Sequence, residues 1–63
     1  MRTLTVEFPS HGVRIVWNGS ATFNVYRGQR NIDVFTVYDV HGPIEANAAM
    51  WHHLAQVDYS EYV

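Results

Sequence analysis

Pro43-Ile44-Glu45-Ala46-Asn47-Ala48-Ala49-Met50-Trp51-His52-His53-Leu54-Ala55-Gln56-Val57 is the stretch that decides how this 63-residue chain folds. Ala46, Ala48, Ala49, Met50 and Leu54 are strong helix formers, and nothing interrupts them before Asp58. Pro43 suits a first helical position, Gly42 a tolerable N-cap, and Glu45 complements the positive end of the helix dipole. A helix over about 43–57 is therefore predicted. At about 100° per residue, Ala46, Ala49, Met50, Leu54 and Val57 share one stripe, with His53 inside it, and this face should cover a sheet. Ile44, Ala48, Trp51 and Ala55 form a second apolar stripe, displaced by roughly a third of a turn or more. Only Glu45, His52 and Gln56 remain as a polar face, so the helix carries more apolar surface than a small sheet can hide.

The residues before the helix read as strands. Leu4, Val6 and Phe8 alternate with Thr3, Thr5 and Glu7; Val13, Ile15 and Trp17 alternate with Arg14 and Val16; Ala21, Phe23 and Val25 alternate with Thr22, Asn24 and Tyr26. Pro9-Ser10-His11-Gly12, Asn18-Gly19-Ser20 and Arg27-Gly28-Gln29-Arg30-Asn31 separate these runs, and the Asn-Gly pair is a strong hairpin signal because both residues tolerate positive φ. Ile32 to Val40 should be the longest strand. Ile32, Val34, Tyr38 and Val40 lie on one of its faces and Phe35 and Val37 on the other, which they share with Asp33 and Asp39 and which should be partly wet. The expectation is a single α+β domain over 1–63, an antiparallel sheet of three to four strands (about 2–8, 13–17, 21–26 and 32–40) packed by the C-terminal helix, with 58–63 as a docking tail.

Composition sets limits on the chemistry. With no cysteine, disulfides and thiolate zinc sites are excluded. A domain this small buries only about 60% of the surface of its unfolded chain, so stability is marginal and a partner subunit would help. The net charge of −2 argues against a general nucleic-acid binder. The cations are Arg2, Arg14, Arg27 and Arg30, without a lysine. Met1-Arg2-Thr3-Leu4-Thr5 is no signal peptide and no segment approaches bilayer length, so a cytoplasmic location is expected, the host cytoplasm if the source is viral.

Catalytic and metal sites find little support. His52 and His53 project about 100° apart and cannot share one ion unaided; Asp39 and His41 point the same way, and only folding could add His53 to them. Asp33 and Asp39 are ~20 Å apart on an extended strand, too far for paired acid and base. Ser10-His11 lacks a nucleophile-elbow context. No enzyme, cofactor or metal is expected.

Phe23-Asn24-Val25-Tyr26-Arg27-Gly28 and Asp33-Val34-Phe35-Thr36-Val37-Tyr38, followed by the helical Glu45-Ala46-Asn47-Ala48-Ala49-Met50-Trp51, resemble small bacteriophage and prophage proteins built from a β-meander and a terminal helix. The resemblance covers the middle two-thirds of the chain and implies a product that binds and modulates a host protein, or joins a viral assembly. The same order of elements is similar to sheet-plus-helix DNA-binding domains such as those of integrase arms, whose sheet enters the major groove. On that reading Arg14, Asn24, Tyr26, Arg27 and Arg30 would contact nucleic acid, although the sheet face also carries Glu7. The leading expectation is a non-catalytic protein-interaction module that self-associates or inhibits a host protein, is no membrane protein, and uses Ile44, Trp51, Ala55, Tyr59 and Tyr62 as its contact surface.

Overall fold

A computed structural model describes residues 3–59. The alternating runs become β1 (Leu4–Phe8), β2 (Val13–Trp17), β3 (Thr22–Arg27) and β4 (Arg30–Thr36), and the Ala-rich run becomes α1 (Pro43–Gln56). The strands form one antiparallel sheet in the order β1-β2-β3-β4, a simple meander, and α1 covers one of its faces. The α+β class and the single C-terminal helix follow the sequence expectation.

Register decides which side chains meet under the helix. Leu4 pairs with Trp17, Trp17 with Phe23, and Phe23 with Phe35, giving one core row; Val6, Ile15, Val25 and Asp33 give the next. Phe8, Val13, Ile15, Trp17, Phe23 and Val25 are buried from the sheet side; Ala46, Met50 and Leu54 meet them from α1, and Tyr59 closes the core. Each large apolar side chain buried this way contributes about 1.5–3 kcal/mol, against the ordering entropy of the chain. The helix spans the sheet's width: Trp51 meets Phe8 edge to face at 4.7 Å near β1, and His53 stacks on Phe35 at 3.7 Å on β4.

The turns differ in detail from the sequence reading. Asn18 keeps negative φ, since among the described residues every positive φ belongs to a glycine, and within this turn it is Gly19 (φ 89°) that is left-handed. Asn18 acts through its side chain: Oδ1 accepts hydrogen bonds from the Ser20 and Thr22 amides at 2.9 and 3.3 Å, an Asx arrangement. Arg27 pairs directly with Arg30, leaving a two-residue turn with Gly28 (φ 64°) first, the residue choice of a type II′ hairpin. Strand β4 therefore begins at Arg30, two residues earlier than expected.

It also ends at Thr36, four residues before the expected Val40. The Val37 amide still bonds the Ala21 carbonyl at 2.9 Å, but β3 has no further residues to offer. Beyond that point the chain bends, and Val40 turns onto the core. A bulge sets the faces of β4. Tyr26 pairs with Asn31 and Val25 with Asp33, so Ile32 is one residue too many on β4. Past it, Asp33 and Phe35 face the core while Val34 is 54% exposed. Asn31 clamps the bulge, its Nδ2 donating to the Val25 and Asp33 carbonyls at 3.1 Å each.

Helix α1 starts from an extended Gly42 (φ −172°, ψ 178°) with no side-chain cap, and the Ala46 amide bonds the Gly42 carbonyl at 2.9 Å. It stops at Val57, whose amide returns to the His53 carbonyl at 3.0 Å. No helix among the described residues is long and apolar enough to cross a membrane.

Candidate functional site

Three surfaces carry the residues singled out by the sequence. The first is the outer side of α1, from which Trp51 reaches back to the sheet at Phe8. Ile44 is 87% exposed and Trp51 53%, and Ala48 and Ala55 are exposed beside them. These four fall within about 60° of helix circumference, so they form one continuous strip along the helix. Trp51 is only partly a core residue: its ring is held at 87° to Phe8, which fixes its orientation while leaving the outward part in solvent. Neither the sheet nor Tyr59 wraps over this strip. Two expected interface residues are elsewhere. Tyr59 is fully buried inside its own domain, a correction to its assignment as a partner-binding residue, and Tyr62 lies outside the described residues.

The second surface is a cleft of about 440 Å³ between the end of β4 and α1, lined by Phe35, Thr36, Val37, Ala48, His52 and Gln56 among others. His53 lines it as well. The bulge at Ile32 places Asp33 under the helix, where its Oδ2 accepts a 2.7 Å hydrogen bond from the Tyr59 hydroxyl. His53 Nε2 lies 2.5 Å from the same hydroxyl. The phenol has one proton and gives it to Asp33, so His53 donates from Nε2. Burial lowers the His53 pKa, as does nearby His52, while the Asp33 carboxylate pulls it upward; the net direction is down, which favours the neutral ring.

The chain beyond the helix is thus fastened at two points of Tyr59. Its hydroxyl closes the His53-Tyr59-Asp33 chain, and its carbonyl accepts a hydrogen bond from Arg27 Nη2. Arg27 Nε also donates to the Gly12 carbonyl at 3.3 Å, tying the β1–β2 turn to the same place. Asp39 and His41 are not joined to His53 in a ligand set: among the described residues no group of three His, Cys, Asp or Glu is arranged to hold a metal ion. A histidine inside a buried helical stripe needs a polar partner and Asp33 shares the parity of Phe35, which signals two members of this network; nothing local points to Tyr59 as the third.

The third surface is the uncovered face of the sheet. Arg14, Asn24 and Tyr26 lie together on it, with the Arg14 guanidinium 5.1 Å from the centre of the Tyr26 ring. Glu7 pairs with Arg14 in the same row and lines a shallow cleft with Arg14 and Tyr26. Arg27 points to the opposite face and is occupied by two carbonyls, and Arg30 is exposed at the hairpin end. Of the five residues considered for nucleic acid, the fold gathers three.

No protein-family model, curated protein or solved structure matches this chain.

Proposed function

We propose that this protein is a non-catalytic interaction module that self-associates through the outward strip of α1. The observation carrying this reading is the strip itself: Ile44, Ala48, Trp51 and Ala55 in one line, with isoleucine 87% and tryptophan 53% exposed. Water-exposed tryptophan beside isoleucine and alanine is unfavourable in an isolated monomer, and tryptophan is enriched at the energetic centres of interfaces. Phe8 already restricts the Trp51 ring, so less side-chain entropy is lost on docking. The resemblance to bacteriophage proteins extends the same surface to a host protein as ligand.

The nearest polar cluster supports a structural role. Tyr59 is fully buried, and its hydroxyl is engaged with both Asp33 and His53, an arrangement that fastens the C-terminal turn. Nucleic-acid binding by the sheet face is the weaker reading, since Glu7 sits opposite Arg14 and Arg27 is engaged elsewhere.

Acrylamide quenching of tryptophan fluorescence tests the proposal, because the two indoles differ. Trp17 is 2% exposed within the core, so association should leave it unchanged, whereas Trp51 is 53% exposed and should be shielded when the strip is covered. The quenchable fraction should fall as protein rises from about 1 μM to about 1 mM, a range that brackets weak association. A constant quenchable fraction over that range refutes self-association through Trp51.

A further inference from the structure

Resting on that reading, we infer that the occupant of the strip is a second copy of this chain, with the two α1 helices antiparallel, Ile44 of each copy over Ala55 of the other and Trp51 over Ala48. The spacing carries the first step. Ile44, Ala48, Trp51 and Ala55 are separated by four, three and four residues, the repeat that keeps a seam facing a partner helix. The sizes carry the second. Large and small residues alternate along the seam, so a parallel pair in register would set indole against indole and leave the alanine layers hollow. Reversing one helix places each large side chain opposite an alanine. A two-fold interface must be complementary to itself, and this strip is so only in the antiparallel sense.

The flanks agree with that direction. Glu45 and His52 lie seven residues apart on one side of the seam, and reversal brings Glu45 of one copy within a turn of His52 of the other. Gln56 Nε2, an amide donor, lies 3.0 Å from His52 Nε2, so the His52 proton sits on Nδ1 and is available to a carboxylate. Alanines at two of the four layers permit close approach of the helices, near the lower end of the usual 8–10 Å interaxial range. A 14-residue helix is about 21 Å long, and one pair of such helices buries less than the roughly 1,200 Å² of a standard interface. The dimer is accordingly weak and reversible.

The chain has no cysteine, so introduced thiols report on geometry cleanly. Ile44→Cys and Ala55→Cys proteins are mixed in equal amounts, oxidised mildly, and the disulfides resolved by mass, with the exposed Ser10→Cys as a collision control. In the antiparallel seam Cys at 44 faces Cys at 55, whereas two copies of position 44 are about 16 Å apart along the axis, too far to bridge. The mixed disulfide should exceed each symmetric one by roughly tenfold, since only its Cα atoms fall within bridging range. Dominant symmetric disulfides would overturn the antiparallel arrangement while leaving self-association standing. Yields no higher than the Ser10→Cys control would overturn the pairing altogether, and sedimentation of the unmodified protein then separates the two failures: a monomer removes the underlying reading as well, and a dimer moves the interface elsewhere.

Discussion

Removing one oxygen, by Tyr59→Phe, isolates the network that fastens the C-terminal turn to the sheet. The ring is fully buried and stays so in the variant, so apolar packing is conserved. Lost are the 2.7 Å bond to Asp33 and the 2.5 Å contact with His53, and both partners are left facing an apolar edge. A hydrogen bond to a charged group is worth about 1.5–3 kcal/mol, but Asp33 and His53 are only half-buried and recover part of this from water. A net destabilisation of about 1–2 kcal/mol follows. For a domain of this size each kcal/mol lowers the melting temperature by about 4–8 °C, so a drop on the order of 10 °C is expected. Total stability at this length is only about 3–9 kcal/mol, so Tyr59→Ala, which adds a cavity worth about 3–5 kcal/mol, should leave much of the population unfolded. Urea melts followed by circular dichroism give both values. A Tyr59→Phe melt superimposable on the native one would refute the claim that the hydroxyl holds the turn, and a double-mutant cycle with Asp33→Asn should give clear coupling if it does.

Two further perturbations test the same region. The lowered pKa of His53 means that the folded state binds its proton less readily than the unfolded state, whose value is 6.5. This contribution to stability is complete above pH 6.5 and is lost as pH falls from there through the folded value, and the His53→Gln variant should lack that component; identical pH profiles for the two proteins would contradict the assignment. Arg27→Lys should cost about 1–2 kcal/mol in the same urea assay, because an ammonium cannot reach the Gly12 and Tyr59 carbonyls with the geometry of a guanidinium. A loss below about 0.3 kcal/mol would show that the two carbonyls need no guanidinium.

Much of the framework was legible because it depends on local periodicity. The alternation through Phe8, Val13 to Trp17 and Phe23 to Val25 specifies buried faces without knowledge of neighbours, and Pro43 marks the helix start in the sequence as in the structure. The ends and faces of β4 were not legible, because they depend on another strand. Thr36 ends the ladder where β3 runs out, and the Ile32 bulge exists only in the register with Tyr26 and Val25. Tyr59 shows the same limit. Terminal tyrosines read as a docking tail, yet the partner that Tyr59 finds lies within its own domain, through Asp33, 26 residues away, and Arg27, 32 residues away. The outward strip was legible as an unexplained stripe, since its exposure follows once Ala46, Met50 and Leu54 claim the sheet.

Sedimentation equilibrium of the native protein beside Ala48→Glu tests the self-association claim most directly. Ala48 is exposed and central in the strip, so the glutamate leaves the fold intact and sets two carboxylates against the seam. The native mass should rise above the 7.3 kDa monomer as concentration increases, approaching twice that value, while Ala48→Glu remains at 7.3 kDa throughout. A native protein that stays at 7.3 kDa up to about 1 mM, or a variant that associates as well as the native chain, would contradict the account.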